Sequence, residues 1–182
     1  IAVITRPGAP SRRPETVSTA AVLAAHRPLA HIRAPGTLDG GDVLVADRRI
    51  YVGLSTRTNS AAVEELAATL QPLDYEVVPV AFAGCLHLKS GVTRVADGLL
   101  LLNPDWVDPK IFRGHRAVPV DPAEPHAANA LALGGSVIHP AHHRRTRARL
   151  ESEGLRIEPL EMTELAKAEA GVTCCSLLLQ QA

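Results

Sequence analysis

Three polar residues stand at comparable places in successive segments of the chain, and their types are those of nucleophilic catalysis. Asp39 lies in LDGG, His87 in CLHLKS and Cys174 in TCCS. A carboxylate, an imidazole and a thiol that converge near one axis would form a Cys–His–Asp constellation. The thiol must lose its proton to attack at neutral pH, and a nearby cation, either His⁺ or a cationic substrate, favours that loss. Lys89 is expected to point to the opposite side of its strand from His87, and we assign it no role.

The remaining cysteines and a basic cluster have simpler explanations. On strand alternation Cys174 and Cys175 face opposite sides, so at most one of them is the nucleophile. We assign Cys175 and Cys85 to packing, because a cysteine on an apolar strand is usually a small buried hydrophobe. The segment HPAHHRRTRARLE (His139–Glu151) lacks carboxylate or thiolate support for a metal ion, and we interpret it as a solvated helix face.

The composition excludes several function classes. Lys and Arg number 19, Asp and Glu also number 19, and aromatic residues make up 3%, so neither a strongly basic surface nor a base-stacking platform for nucleic acid is present. No apolar run approaches the ~18–20 residues that span a bilayer. The motifs of serine hydrolases, phosphate-binding loops, dinucleotide-binding folds and zinc fingers are missing. Three cysteines, two of them adjacent, do not form a disulfide framework, so we expect a cytoplasmic protein.

The elements that would position the three polar residues recur along the chain. LDGGDVLVADRRIYVGLS (Leu38–Ser55) and LKSGVTRVADGLLLLNPD (Leu88–Asp105) align without a gap, and ANALALGGSVIHPA (Ala128–Ala141) is a weaker third copy. Each unit predicts a strand, a turn, a strand, a helix and a strand. The last segment, GVTCCSLLLQ, predicts the first strand of a further unit. Because such a repeat cannot bury its apolar face alone, several units must stack or close around an axis.

Apolar periodicity predicts where the elements begin and end. Helices are expected over Pro14–His26, Ser60–Leu70 and Ala141–Glu153. Strands are expected over Val43–Ala46, Arg49–Gly53, Tyr75–Ala81, Val92–Ala96, Leu99–Leu102, Ala117–Val120, Ser136–His139, Leu155–Leu160 and Cys174–Leu179. The chain starts at Ile1 inside the apolar run IAVITRP, which predicts a strand whose upstream part is absent.

Five motifs, in this order, resemble those of the dimethylarginine dimethylaminohydrolase family: ITRPGAPSRRPE, LDGGDVL, VGLSTRTN, LHLKS and TCCSLL. That family belongs to the guanidine-modifying superfamily. The resemblance runs from the first residues almost to the last. It implies an α/β fold, the pentein propeller of ββαβ repeats around a pseudo-fivefold axis. We expect residues 1–182 to form a single, partial catalytic domain of that kind, without its N-terminal part.

The resemblance also implies a reaction and the residues that perform it. Cys174 would be the nucleophile, His87 the general acid and base, and Asp39 the carboxylate that orients His87 beside the substrate. Dimethylarginine and water would give citrulline and dimethylamine through a covalent adduct on the cysteine, with no metal or organic cofactor. The expected partner is this small-molecule substrate, with neither nucleic acid nor membrane, and a homodimer is left open.

Substrate binding is implied at three further positions. Arg12 and Arg57 would hold the α-carboxylate of the substrate, a role that suits the forked guanidinium group. The backbone near Ala168 would also contact the substrate. The acidic residues with which the family grips the guanidinium lie just upstream of the ITRPGAPSRR segment, before the first residue of this sequence.

Two alternatives stay open at this point. Another enzyme of the superfamily, such as an arginine or agmatine deiminase or an amidinotransferase, would use similar residues, and turnover of dimethylarginine would separate these activities. A truncated propeller of low activity could instead be a binding module whose open strand edges are covered by another chain. A native mass near 19.3 kDa without activity would favour the binding module.

Overall fold

The structure, a computed structural model, describes residues 1–179, without the side chain of Cys175. The chain divides into two compact units, Ile1–Phe82 and Ala83–Ala182. Both units contain the same element, a three-stranded sheet in which the first two strands are antiparallel and the third is parallel to the second. The predicted repeat of strand, turn, strand, helix and strand is therefore confirmed for residues 43–81 and 131–160. In residues 92–119 it is wrong at one element, because the 3-10 turn Pro109–Ile111 stands where the helix was predicted.

The first unit holds a two-stranded and a three-stranded sheet. Its strands are β1 (Ala2–Ile4), β2 (Leu29–His31), β3 (Val43–Ala46), β4 (Arg49–Leu54) and β5 (Glu76–Ala81), and its helices are α1 (Glu15–Ala24) and α2 (Ser60–Leu70). β1 pairs in parallel with β2, and the three-stranded sheet has the order β3-β4-β5. Short 3-10 turns cover Pro10–Arg12, Gly40–Asp42 and Gln71–Leu73.

The second unit holds two three-stranded sheets, ordered β6-β7-β8 and β11-β10-β9. Its strands are β6 (Val92–Ala96), β7 (Leu99–Leu102), β8 (Arg116–Pro119), β9 (Leu131–Leu133), β10 (Ser136–Pro140) and β11 (Ile157–Leu160). Its helices are α3 (Leu88–Gly91), α4 (Arg144–Ser152) and α5 (Thr163–Ala166), with 3-10 turns at Pro109–Ile111 and Val172–Cys175.

Two-residue turns close the antiparallel hairpins of the repeat. They consist of Asp47 and Arg48, of Asp97 and Gly98, and of Gly134 and Gly135. The backbone of Asp47 and of all three glycines has positive φ, between 55° and 80°. Positive φ at the first turn position, as at Asp47 and Gly134, matches the right-handed twist of the flanking strands. The Asp97–Gly98 turn has positive φ at Gly98 alone, and the register of its strands shifts between Arg94 and Ala96.

Each unit has an apolar core between a sheet and a helix. In the first unit α2 begins with an N-cap at Asn59, whose side-chain oxygen accepts a hydrogen bond from the Ala62 N–H at 3.1 Å. The helix buries Ala62, Val63, Leu66 and Leu70 against residues that include Ile32, Leu38, Ile50 and Val52. In the second unit the core contains Leu101, Val118, Ala127, Ala128, Ala130, Val137 and Leu150.

Two parts of the sequence interpretation are wrong. The region predicted as strand Cys174–Leu179 forms the 3-10 turn Val172–Cys175, and residues 176–179 lie in no strand. The alternation argument about Cys174 and Cys175 therefore does not apply. Lys89 lies in α3, not in a strand, so the alternation argument that placed it opposite His87 does not apply either. Among residues 1–179 no helix is long and apolar enough to cross a membrane.

Candidate active site

Asp39 is a buried carboxylate at the entrance to the 3-10 turn Gly40–Asp42 of the first unit. It is 5% exposed, and its Oδ1 accepts a hydrogen bond from the Gly8 N–H at 2.9 Å. Its own N–H donates to Thr58 Oγ1 at 3.1 Å, so both its side chain and its backbone are fixed. Because this carboxylate is already ordered, it loses little conformational entropy when a ligand binds.

A second buried carboxylate, that of Asp42, supports this arrangement. Its Oδ2 accepts hydrogen bonds from Thr58 Oγ1 at 2.6 Å and from Ser55 Oγ at 2.8 Å. The hydroxyl of Thr58 therefore links Asp42 to the backbone of Asp39. Ser55 Oγ also accepts the Arg57 N–H at 3.0 Å, which ties the backbone of a predicted substrate-binding residue to the same network.

The two arginines predicted to bind a carboxylate both lie in the first unit, in different environments. The exposed Arg12 donates to Glu15 at 3.0 Å, and its Nη1 lies 3.9 Å from Asp39 Oδ2. The structure thus brings Arg12 and Asp39 together. Arg57 is half-buried, and its backbone packs against Gly8, where an added Cβ would lie 2.5 Å from Arg57 O.

His87 directly precedes α3 in the second unit, as Asp39 directly precedes the 3-10 turn of the first. Its backbone is extended, with φ −130° and ψ 150°, and its ring is half-buried. The His87 carbonyl accepts hydrogen bonds from the Ser90 N–H at 2.9 Å and from Cys85 Sγ at 3.3 Å. Cys85 is therefore more than packing, since its thiol donates to the backbone of the predicted acid and base.

Cys174 lies in the 3-10 turn Val172–Cys175, and its side chain is exposed. Its Sγ accepts a hydrogen bond from the Gly171 N–H at 3.4 Å, and its own N–H donates to Gly171 O at 3.0 Å. A hydrogen bond donated to sulfur stabilises negative charge that develops there. The thiol is thus accessible to a ligand and polarised by the backbone beside it.

Sequence reasoning missed Asn129, which contacts both the Cys174 and the His87 segments. Its side chain bonds to Thr173, which precedes Cys174, and to the carbonyl of Lys89 in α3. Asn129 lies in the weaker third copy of the repeat, ANALALGGSVIHPA. The sequence feature that could have identified Asn129 is its position one residue after the start of a repeat unit.

The last predicted binding position, Ala168, follows α5 in an exposed turn. Its N–H donates to Leu165 O at 3.0 Å, and the next residue, Glu169, has φ 57°. Asp39, Arg12 and Arg57 thus lie in the first unit, and His87, Cys174 and Ala168 in the second. The convergence of all six on one substrate stays a prediction.

The histidine cluster near α4 is not arranged as a metal site. The rings of His142 and His143 lie 4.1 Å apart, and those of His139 and His143 5.9 Å apart. Burial and the neighbouring imidazoles lower the pKa of His143 to about 4, and burial lowers the pKa of His139. Within the described part of the chain, no three His, Cys, Asp or Glu side chains are grouped so that they could hold a metal ion.

Comparison with known proteins gives the family of the chain. The family model for arginine deiminase matches residues 2–90. The N(G),N(G)-dimethylarginine dimethylaminohydrolase of Streptomyces coelicolor is 39% identical over 184 residues, an alignment that covers 100% of this chain and 70% of that protein. This chain belongs to the dimethylarginine dimethylaminohydrolase family. The resemblance found in the sequence is confirmed.

Solved structures of dimethylarginine dimethylaminohydrolases confirm the expected α/β pentein fold. A cysteine-to-serine variant of the Pseudomonas aeruginosa enzyme, complexed with citrulline, matches with a TM-score of 0.89 and 31% identity, over 94% of this chain and 68% of that one. A histidine-to-glycine variant, solved as an adduct with S-methyl-L-thiocitrulline, matches with the same TM-score, identity and coverage.

Proposed function

We propose that this member of the dimethylarginine dimethylaminohydrolase family hydrolyses dimethylarginine to citrulline and dimethylamine. The observation that carries the proposal is the 39% identity to a dimethylarginine dimethylaminohydrolase along the whole chain. The exposed thiol of Cys174 supports it, since attack on a substrate carbon requires an accessible sulfur.

The first half of the reaction forms a bond between sulfur and carbon. Cys174 Sγ attacks the central carbon of the protonated guanidinium group and gives a tetrahedral adduct. His87 donates a proton to the departing nitrogen, and dimethylamine leaves. The C–N bond is broken, and the carbon stays attached to the sulfur as an S-alkylthiouronium group.

The second half of the reaction regenerates the thiolate of Cys174. His87, now neutral, takes a proton from a water molecule, and the hydroxide oxygen adds to the thiouronium carbon. The C–S bond then breaks, the proton of the added hydroxyl group passes to solvent, and citrulline leaves as the thiolate of Cys174 is regenerated. One water is consumed, so dimethylarginine and water balance citrulline and dimethylamine.

Charge complementarity supports the proposed binding roles. The carboxylate of Asp39 accepts a hydrogen bond from the Gly8 backbone N–H and orients His87 in our proposal. Arg12 and Arg57 provide guanidinium groups for the α-carboxylate of the substrate. The turn at Ala168 adds a backbone contact. We also propose a cytoplasmic location, because Cys174 is a free thiol and a reducing compartment keeps a thiol nucleophile reduced.

Substitution of the two adjacent cysteines tests the nucleophile. Dimethylarginine turnover is measured as citrulline formation by the full protein and by its Cys174→Ser and Cys175→Ser variants. We expect Cys174→Ser to lower kcat at least 1,000-fold, an order of magnitude typical for loss of a nucleophile. Full activity in Cys174→Ser would refute the assignment, and loss only in Cys175→Ser would move the nucleophile to the neighbouring residue.

A covalent trap tests the mechanism separately. S-methyl-L-thiocitrulline is incubated with a His87→Gly variant, and the cysteine-containing peptides are analysed by mass spectrometry. We expect a covalent adduct on the peptide that contains Cys174, and none when Cys174→Ser is added to the variant. Comparison of kcat/KM for arginine and dimethylarginine distinguishes a deiminase, because arginine would then be the better substrate.

A further inference from the structure

The side-chain amide of Asn129 joins the two chain segments that carry the proposed sulfur and imidazole. Its Nδ2 donates hydrogen bonds to Lys89 O at 2.9 Å and to Thr173 Oγ1 at 2.8 Å. Its Oδ1 accepts the Thr173 N–H at 3.1 Å. Lys89 is two residues after His87, and Thr173 is the residue before Cys174. One planar group thus fixes the backbone beside both reacting side chains.

Asn129 is itself held rigidly in the second unit. The hydroxyl of Thr93, in β6, donates to Ala128 O at 2.6 Å and accepts the Ala130 N–H at 3.1 Å. The backbone on both sides of Asn129 is therefore fixed to a strand. Asn129 is 7% exposed, and the alanines beside it are at most 2% exposed. The side-chain amide of Asn129 is therefore held in a fixed position.

Close packing places the Cys174 turn directly on this amide. A Cβ added to Gly171 would overlap Asn129 Cγ and Oδ1. The φ of Gly171 is −107°, which any residue adopts, so the position requires glycine for space and not for backbone conformation. The Gly171 N–H in turn donates to Cys174 Sγ. The Asn129 side chain therefore contacts Gly171, which in turn contacts the sulfur of Cys174.

The chemistry of the contacts requires an amide. The site offers a carbonyl that needs a donor, an N–H that needs an acceptor, and a hydroxyl that accepts in this arrangement. Asparagine supplies two donors and one acceptor from a single plane. Aspartate of the same size keeps the acceptor for the Thr173 N–H but has no donor for Lys89 O, so two oxygens would face each other.

We propose that Asn129 is a positioning residue that sets the separation of Cys174 and His87, a role that rests on the proposed function. The residue does not contact the substrate in this proposal. It acts by holding the sulfur and the imidazole at the spacing at which attack and proton transfer occur together. Since a misplacement of about 1 Å can lower a rate about 100-fold, loss of the amide should appear in kcat.

Asn129→Asp in the full protein, with citrulline formation as the assay, tests the proposal. We expect kcat to fall about 30- to 100-fold while KM stays within about threefold, because the predicted substrate-binding groups are unchanged. The matched control is Asn103→Asp. Asn103 is also a buried amide in the second unit, but its side chain bonds to Pro125 O at 3.0 Å and the Asp105 N–H at 2.9 Å, neither of which lies in the His87 or Cys174 segment. Its backbone N–H donates to Gly91 O at the end of α3, a bond that the substitution keeps.

The control separates positioning from general stability. The urea midpoint of each variant is followed by the fluorescence of Trp106, which lies in the second unit. We expect both variants to have a lower midpoint, but only Asn129→Asp to lose kcat. An equal loss of kcat in Asn103→Asp, or a kcat of Asn129→Asp within threefold of the unchanged protein, would overturn the proposal.

A milder variant covers the case in which Asn129→Asp does not fold. Thr173→Val keeps the backbone N–H bond to Asn129 and removes only the hydroxyl contact. It should lower kcat about 5- to 10-fold with KM unchanged, and an unchanged kcat would again overturn the proposal. Absence of turnover in the unsubstituted protein would instead refute the proposed function, so the two failures are distinguishable.

Discussion

The hydroxyl of Thr58 joins the two buried acidic residues of the first unit, and its removal should destabilise the protein measurably. Thr58 is 1% exposed, donates to Asp42 Oδ2 at 2.6 Å and accepts the Asp39 N–H at 3.1 Å. Valine has nearly the same shape without the hydroxyl. Thr58→Val therefore removes one donor from a buried carboxylate and one acceptor from a buried amide.

The expected loss follows from these two contacts. A hydrogen bond to a charged group contributes about 1.5–3 kcal/mol, and an unpartnered buried amide costs about 1–3 kcal/mol. Because neighbouring groups relax in part, we expect Thr58→Val to lower the free energy of unfolding by about 3 kcal/mol. With a urea slope of about 2 kcal/mol/M, the midpoint should fall by about 1.5 M.

Thr58→Ser provides the matched control, since it keeps the hydroxyl and removes one methyl group at a cost of about 1 kcal/mol. Urea unfolding is followed by far-UV circular dichroism, with the fluorescence of Trp106 as a separate report on the second unit. If the free energies of unfolding of the two variants differ by less than about 1 kcal/mol, the hydroxyl does not stabilise the network as argued.

Three further predictions concern the core, the pH response and the site. Leu150 is fully buried, so Leu150→Ala should cost about 3 kcal/mol in urea unfolding, whereas Leu133→Ala, at a position 51% exposed, should cost less than about 0.5 kcal/mol; equal costs would contradict the core assignment. His143 takes up a proton near pH 6.5 in the unfolded chain and near pH 4 in the folded one, so the free energy of unfolding should be highest above pH 6.5 and decrease toward pH 4. This decrease should be about 1–2 kcal/mol after allowance for solvent screening. Urea unfolding at pH 7.5 and pH 5 should show a smaller decrease in His143→Gln than in the unsubstituted protein. A Cβ on Gly8 would lie 2.5 Å from Arg57 O, so Gly8→Ala should raise the KM for dimethylarginine about tenfold; an unchanged KM would mean that Arg57 does not bind the substrate.

Much of the fold could be predicted because its signals are local. The helix Ser60–Leu70 and the strands Val43–Ala46, Val92–Ala96 and Leu99–Leu102 have the predicted bounds. In each case apolar spacing and a flanking turn or cap lie within a few residues of each other. The alignment of Leu38–Ser55 with Leu88–Asp105 predicted that both segments share one topology, and both form the same hairpin.

The turns that carry the site depend on distant partners, and there the prediction failed. The Thr173 N–H, which a strand would use for pairing, donates to Asn129, 44 residues away in sequence. The Ser176 hydroxyl donates to Val172 O at 3.0 Å and closes the turn around Cys174. The apolar run that follows Cys174 favours a strand by composition, and nothing local opposes it.

The sequence was enough to propose residue types for the candidate site, but not to find the contacts that support them. Asp39, His87 and Cys174 are distinctive because charged or reactive side chains interrupt apolar repeats. Thr58 and Asn129 are ordinary polar residues whose importance appears only through contacts 16 to 44 residues apart. Such contacts require the tertiary structure, because no pattern in one sequence specifies them.

The glycine hairpin between β9 and β10 offers a place to label this enzyme. Gly134 and Gly135 are exposed, and a Cβ on either would meet no atom within 4 Å. The hairpin begins four residues beyond Ala130, a span of about 13 Å in an extended strand. An epitope or a dye-accepting peptide inserted between the two glycines would thus be carried at the opposite end of the strand from Asn129, as a handle for imaging and immobilisation.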